Sequence, residues 1–396
     1  MAGITGVSTT FGLPNYHGEL FALSPAETPL LSAAGGIGGG AGEVADTLVE
    51  WQAYDLRDPS IRTRLEGADA PTAEARVRAN VTNRLQIFQE AVSSSYTKQA
   101  AKGRYATAAG GIENPVTNEH SWQIFQALKQ VARDVNHSFW NGVRNDPADN
   151  TTARQMAGLI SVMTSNVQGT AVTSAATSAT DTITVTHGLV VDDKVVFTNV
   201  GASTTIVPGR YYWVVQNSTT VSFKVSATKG GAAITVGTAS GIAFYQCKAA
   251  NVLTVDMVNL LLQSIFDNGG ITEQGTATIF TPSWQKRALT KAYATSGTAA
   301  NQLQGTRNVG GVDLDTVITD FGTLNIGVDR SLPHDALAVV SVEQIRPVFL
   351  NIPGKGVLFE EALAKTGSAD KSQIYGEIGM AYGNQAAHGI LRGLYA

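Results

Sequence analysis

The spacing of hydrophobic positions changes along this chain, and each change marks a different element. After Glu43, the run VADTLVEWQAYDL alternates apolar and polar residues to Leu56, as a half-buried strand does. A charged, turn-rich stretch follows, RDPSIRTRLEGADAPTAEA, and then a second extended run, RVRANVTNRLQIFQEAVSSS. The pattern predicts a long hairpin with a polar tip. Arg and Glu are scattered along both strands, so the pair cannot bury a core of its own. An isolated hairpin is marginal in water, and its open edges invite pairing with another chain. The expectation is an assembly subunit whose arm is completed by a neighbouring copy.

Behind a Gly-containing connection, KGRYATAAGGIENP, the period becomes helical. Thr117 or Asn118 can cap the helix, with Glu119 in its first turn. Trp122, Phe125, Leu128, Ala132, Val135, Phe139 and Val143 recur in steps of three and four. That spacing places them on one face, with Gln126, Lys129, Arg133 and Asn136 opposite and Pro147 as a stop. The run RQMAGLISVM (154–163) reads as a short buried element.

From Val167 to Gln246 Thr, Val, Ser, Ala and Gly dominate and no helical period survives. Short alternating runs predict strands at Asp181–His187, Lys194–Thr198, Arg210–Val215, Val221–Ser226, Ala232–Val236 and Ile242–Gln246. This is a small all-β module, a sandwich or barrel. It lacks a Cys pair and so is at most immunoglobulin-like. Helical and apolar runs resume at Asn251. Thr254 caps VDMVNLLLQSIFDNGG, TATIF is a buried strand, and Pro282 opens a second helix. The stretch TSGTAANQLQGTRNVGG reads as a loop. Strands are expected at Val312–Thr319, Thr323–Val328 and Ala336–Ser341, then a strand-rich return over Gln373–Tyr382 and Ala386–Tyr395. The class is α+β with a β insertion. At the front, Phe11, Leu13, Leu20, Phe21, Leu30 and Leu31 punctuate a flexible background, as in an extended arm pinned across other subunits rather than a solvated tail.

Composition changes this picture little. Charged residues make up 15% of the 396, below the usual ~25%, and Gly is abundant at 41. Low charge with many small residues suits a chain that buries much of its surface against copies of itself. The net charge of −4 comes without a basic stripe, which argues against a phosphate-gripping nucleic-acid binder. A mildly acidic container for DNA remains compatible. The single cysteine, Cys247, allows no intrachain disulfide. The first basic residue is Arg57, unlike a secretory leader, and no apolar run approaches a bilayer-spanning length, so a soluble chain made in the cytoplasm is expected.

Candidate chemistry is sparse. His17, His120, His137, His187, His334 and His388 show no metal-ligand spacing, and there is no G-x-S-x-G elbow. The GKG at Lys355 lacks the frame of a phosphate loop and reads as a solvated turn; GGIGGG at Gly35 precedes no clear helix. No catalytic, cofactor-binding or metal residue is therefore nominated. The constellation that stands out is Arg57, Arg62, Arg64, Arg76 and Arg78 on the hairpin, interleaved with Glu66, Asp69 and Glu74. These arginines are expected to bridge to an acidic patch on the adjacent subunit, with Glu360, Glu361 and Asp370 as candidate acceptors. Trp51, Tyr54, Leu85, Ile87 and Phe88, nearer the hairpin base, are expected to pack on a neighbour, as are Phe11, Leu20 and Phe21 of the arm.

Several stretches carry a family resemblance: SPAETPLLSAAGG in the arm, VEWQAYDLRDP with EGADA and NRLQIFQEAVSSS in the hairpin, DFGTLNIGVDRSLP with Phe321 and Arg330, and EEALAKTGSADKSQIYGEIGMAYGNQAAHGILRGL at the end. In this order they resemble the major capsid proteins of tailed bacteriophages, which share the Hong Kong-97-type fold. The resemblance covers residues 20–165 and 251–396 but not the β insertion. It implies an N-terminal arm (1–42), an extended loop hairpin (43–97), a spine helix with the first part of the capsid core (98–166), an inserted all-β domain (167–248) and the remaining core with its axial and peripheral domains (249–396). It also implies a structural, non-enzymatic protein without cofactor or membrane association. Copies would form hexamers and pentamers of an icosahedral head around double-stranded DNA, held without sequence-specific contacts. Assembly would take place in the host cytoplasm with scaffolding and portal proteins, a decoration protein being an optional partner, and the product would be the virion shell. The insertion would project outward.

One departure bears on chemistry. The name-giving phage joins its subunits through a lysine in the extended loop, and here no lysine precedes Lys98. Arginine stays protonated and cannot serve as that nucleophile, so a non-covalent shell is expected. Two rival readings are an encapsulin-like compartment with the same fold and a β-rich, carbohydrate-binding surface protein suggested by residues 167–246 alone.

Overall fold

The computed structural model describes residues 22–37, 42–100, 116, 118–169, 171–217, 221–271, 277–295, 316–365 and 367–396. Phe11, Leu20 and Phe21, the connection 102–115 and most of the loop after Thr295 lie outside the described residues. In chain order α1 (Pro29–Ala33) precedes β1 (Glu43–Val44) and the hairpin strands β2 (Leu48–Tyr54) and β3 (Arg78–Arg84). Next come β4 (Gln86–Ser95), α2 (Tyr96–Ala100), α3 (Glu119–Asn141), α4 (Leu159–Val162) and β5 (Val167–Gln168). Six strands follow: β6 (Ala171–Ala179), β7 (Thr182–Thr184), β8 (Lys194–Asn199), β9 (Tyr211–Asn217), β10 (Ser222–Ser226) and β11 (Ala239–Cys247). The remainder is α5 (Val255–Asp267), β12 (Ala277–Thr281), α6 (Ser283–Thr295), β13 (Thr316–Thr319), β14 (Gly322–Val328), β15 (Leu337–Ser341), β16 (Arg346–Leu350), β17 (Leu358–Ala362), β18 (Ala369–Ala381) and β19 (Gly389–Leu391).

The chain divides into two compact units. The smaller comprises residues 1–26, 89–131 and 359–375, and buries Val92, Ala127, Val131 and Ile374 beside a set of polar bonds. The His120 ring joins Ser94 Oγ (2.9 Å) to Ser372 Oγ (3.0 Å), and Gln89 donates to Gln373 (2.7 Å). Lys98 pairs with Glu119 at 2.6 Å, in the first turn of α3. Asn118 caps that turn, its Oδ1 accepting from the Ser121 N–H.

The larger unit comprises residues 27–88, 132–358 and 376–396. Its centre is a six-stranded sheet ordered β13-β14-β12-β15-β19-β5. All five residues of β15 are buried, four of them apolar and the fifth, Ser341, satisfied by the Ala387 carbonyl. Helix α5 packs here because Val258, Leu261, Leu262 and Ile265 recur at i, i+3, i+4 and i+7. Each such side chain contributes about 1.5–3 kcal/mol on burial. Thr254 Oγ1 accepts from the Met257 N–H at the helix start. At the other end a Cβ on Gly270 would meet the Ala387 carbonyl at 2.8 Å, so only glycine fits. β16 pairs parallel with β1 and antiparallel with the end of β18.

Strands β6–β11 close into a barrel ordered β10-β7-β6-β11-β8-β9. Its interior is filled at period two by Val195 and Phe197, Tyr212 and Val214, Phe223 and Val225, Ile242 and Phe244. Val196, Tyr211 and Cys247 point the other way and pack with Ala396, which explains why β8 is buried on both faces.

The structure corrects several sequence expectations. The second hairpin run is not one strand. It breaks at Leu85, which is fully buried against Val49 and Val348, and β4 leaves the hairpin to pair with β18. On α3 the buried stripe in the larger unit is Val135, Asn136, Phe139 and Trp140, whereas Val143 is exposed; in the smaller unit Phe125 and Leu128 are exposed too. Asn136, assigned to the polar face, is buried because it serves as a hydrogen-bond hub. Its Oδ1 accepts the Leu31 N–H and its amide donates to Asp329 and Ser331. Ala232–Val236 is not a strand; bonds from the Ile234 N–H to Val225 O and from the Thr205 hydroxyl to Thr235 O hold it while Val236 plugs the barrel. β6, β16 and β17 were not anticipated.

Candidate assembly interface

The hairpin is anchored at its base and bare at its end. Buried Asn83 makes four short bonds: its amide donates to the carbonyls of Ala157 (3.2 Å) and Met380 (2.7 Å), and its Oδ1 accepts from the N–H groups of Ala157 and Arg84. Arg84 pairs with Asp146 at 2.6 Å, and Arg144 donates to the Thr82 carbonyl and hydroxyl. This bonding holds the Asp146 carboxyl below the usual carboxylate range, mainly through Arg84. The Trp51 indole donates to Gly383 O at 2.9 Å and meets Tyr382 edge to face at 4.8 Å.

Beyond this base β2 and β3 pair through Tyr54↔Arg78, and the segment 55–77 then runs without helix or strand. A turn closed from Ala68 N–H to Leu65 O marks the tip, with Gly67 at φ +78°, a conformation that suits glycine. Every residue from Tyr54 to Asn80 is exposed. Among them are Leu56 (70%), Ile61 (96%), Leu65 (85%) and Val77 (82%). Apolar side chains held off the body in this way are the mark of a surface meant for another chain.

The predicted site residues separate into three groups. Tyr54, Arg57, Arg62, Arg64, Arg76 and Arg78 lie on the exposed part. Within the hairpin, Glu74 draws in Arg62 (3.7 Å) and Arg76 (3.4 Å), Arg78 donates to Gln52, and Arg57 donates to Asp58 O and Ser60. Leu85 and Phe88, by contrast, are buried within their own chain, and Trp51 is half-buried on its own Tyr382. These three anchor the hairpin within their own chain, with Leu85 and Phe88 covered and Trp51 left partly exposed. Phe11, Leu20 and Phe21 are outside the described residues. Of the candidate acceptors, Asp370 holds Lys365 (2.9 Å) and Gln99, and Glu361 accepts from Gln373, all within the smaller unit. Lys365, then Gln99, lowers the Asp370 pKa.

Sequence reasoning passed over Ile61 and Leu65, hidden in a charged tip, and Phe125 and Leu128, which satisfied the helical period. The missed signal is apolar residues in a segment with nothing of its own to cover them. Lys129 lies over the Phe125 ring at 4.5 Å, and the ring is still exposed. Among the described residues no three His, Cys, Asp or Glu side chains come together as a metal site would need, and no helix is long and apolar enough to cross a membrane. Cys247 is buried, and desolvation raises its thiol pKa well above the ordinary value, which leaves it unreactive.

The family model of the SU10 major capsid protein matches residues 3–395. The chain belongs to that family. It is a tailed-phage major capsid protein, a structural component of the virion shell that assembles with copies of itself. No curated protein matches it in sequence. Among solved structures it is similar to the capsid asymmetric unit of cyanophage A-1(L), at 11% identity over 96% of this chain and 97% of that one, with a TM-score of 0.53. The capsid of the native GTA particle aligns over 100% of both chains at 10% identity and a TM-score of 0.50. The cyanophage P-SCSP1u capsid aligns over 96% and 93% at 10% identity, also with a TM-score of 0.50. At these identities the likeness concerns the fold, which is of the Hong Kong-97 type. The family match over nearly the whole capsid protein decides against both an encapsulin-like compartment and a carbohydrate-binding surface protein.

Proposed function

We propose that this capsid protein closes into hexamers and pentamers of an icosahedral head around double-stranded DNA. The observation that carries this reading is the uninterrupted exposed run from Tyr54 to Asn80, whose apolar residues have no cover among the described residues. A neighbouring copy would receive Ile61 and Leu65, while the hairpin arginines would reach its acidic side chains, Glu360 among them. Exposed pairs contribute only about 0–1 kcal/mol each, so closure depends on repetition around symmetric contacts. The arm residues Phe11, Leu20 and Phe21 would add a second reach across subunits.

DNA would be enclosed without sequence-specific contacts, in keeping with a net charge of −4. Scaffolding and portal proteins would guide assembly in the host cytoplasm, and the β6–β11 barrel would stand as an insertion (residues 167–248) that projects outward, free to accept a decoration protein. The five-part division of the chain is part of the same proposal. With no lysine before Lys98 the shell would be held non-covalently.

Imaging purified particles by electron microscopy, and boiling them in detergent before electrophoresis, tests both points. Closed polyhedra with DNA density and a single monomer band are expected. Open aggregates, or a ladder of linked subunits, would overturn the respective point.

A further inference from the structure

A cleft of about 820 Å³ opens in the larger unit between the barrel and the segment Arg330–His334. Arg210 and Arg330 stand at it with His137 and His334, and its walls include Val207 and Leu332. No aspartate or glutamate lines it among the described residues, although the chain as a whole is acidic. A third guanidinium, Arg392, is already saturated by buried Asp335. Burial, and then Arg210 beside it, lower the His334 pKa, which favours its neutral ring.

Arg330 itself shows the kind of group it takes, although that group comes from outside the cleft lining. Arg330 is bridged at 3.2 Å by Glu27, a carboxylate from the irregular stretch preceding α1, and both side chains remain about two-thirds exposed. Arg210 has no carboxylate partner among the described residues. Nucleic acid calls for a run of basic side chains along its backbone. This cleft instead offers two guanidiniums beside apolar lining residues, Val143, Ile160, Leu332 and Pro333. Guanidinium recognises carboxylate through paired, charge-assisted hydrogen bonds.

We propose that this cleft is a docking site for an extended acidic segment of a partner protein, with carboxylates on Arg210 and Arg330 and apolar side chains against the apolar lining. Glu27 acts there as a built-in competitor for Arg330. The site belongs to a single chain and does not depend on the hairpin surface.

The test uses the full-length, unassembled chain and a fluorescein-labelled peptide of alternating glutamate and leucine, read by fluorescence anisotropy. Saturable binding is expected, and it should be lost when glutamine replaces glutamate in the probe. Arg210→Glu and Arg330→Glu should each weaken binding by about tenfold or more. Glu27→Gln should strengthen it by about twofold to fivefold, the range left by an exposed pair's weak hold. Opposite effects from the two partners of one exposed bridge cannot both arise from misfolding. The proposal is overturned if the glutamine peptide binds equally well, if single-stranded DNA displaces the probe at equal concentration, or if neither arginine variant changes the affinity.

Discussion

Asp335 and Arg392 meet as a two-pronged ion pair sealed from water: Nε to Oδ2 is 2.9 Å, Nη2 to Oδ1 is 3.1 Å, and the side chains are 0% and 3% exposed. Gly393 N–H adds a third bond to Oδ2, and the Arg392 guanidinium lies 4.1 Å from the Tyr245 ring centroid. The pair thus ties the end of the chain to both the central sheet and the barrel. Removing one partner strands the other charge in the interior. Asp335→Ala should therefore lower stability by about 3–5 kcal/mol, whereas the double change Asp335→Leu with Arg392→Met should recover most of that loss. Urea denaturation of the two variants beside wild type checks this; a double variant no better than the single one would refute it.

The hairpin tip should behave in the opposite way. Ile61 and Leu65 are exposed and touch no core. Ile61→Ser with Leu65→Ser should leave the melting of the isolated chain within about 0.5 kcal/mol of wild type. The same variant should fail to form closed particles under conditions in which wild type does. Particle yield by sedimentation, measured beside the melt, separates assembly from folding.

Much of the larger unit was legible in the sequence because its elements are locally consistent. Thr254 caps α5 and its apolar spacing faces the sheet, β15 is apolar up to its final Ser341, and alternation along β8–β11 marks the barrel. What was not legible depends on partners distant in sequence. Leu85 ends a strand because of Val348, more than 250 positions away, and Asn136 faces inward because Asp329 and the Leu31 N–H require a partner there. The hairpin arginines were readable as exposed. The roles of Trp51, Leu85 and Phe88 were not, since an apolar residue at a hairpin base looks the same whether it meets its own chain or a neighbour.

Trp51 now carries a folding prediction. Its indole hydrogen bond contributes about 1 kcal/mol and its edge-to-face contact with Tyr382 about 0.5–1.5 kcal/mol beyond area burial. Trp51→Ala should therefore destabilise the chain by about 2–3 kcal/mol before assembly is considered. Tyr54→Ala, three residues along and exposed, should leave the melt unchanged. Equal melting of the two variants would remove Trp51 from this anchoring role.

His388 sets an acid limit on stability. Its Nδ1 accepts the Ser341 N–H at 3.2 Å and its Nε2 meets the Tyr382 carbonyl at 2.9 Å, an arrangement that fits the neutral ring. Burial lowers its pKa below the ordinary imidazole value, outweighing the Tyr382 hydrogen bond and Glu343, which both raise it. The unfolded chain then takes up a proton that the folded chain refuses. Stability from this group is complete above the unfolded imidazole value of ~6.5 and declines as pH falls from there toward the depressed folded value. Melting temperatures of wild type should fall below about pH 6.5, and the slope should be reduced in His388→Asn. Parallel slopes in the two proteins would remove His388 from this role.

Lys194 occupies a cage of aromatic rings, its Nζ lying 4.3 Å from the Tyr395 centroid, 4.5 Å from Trp213, 4.8 Å from Tyr211 and 5.4 Å from Trp284. It also donates to the main-chain oxygen of Ala396. The residue is almost fully buried, so the negative ring faces compensate the lost hydration of its ammonium. Methionine keeps the aliphatic stem and removes both the attraction and the desolvation cost, two effects of opposite sign. Lys194→Met should therefore shift stability by no more than about 1.5 kcal/mol. Lys194→Glu places a carboxylate against four electron-rich faces and should cost at least about 3 kcal/mol. A cage that acts only as packing would respond similarly to both, so the difference between the two melts measures the electrostatic contribution of the rings.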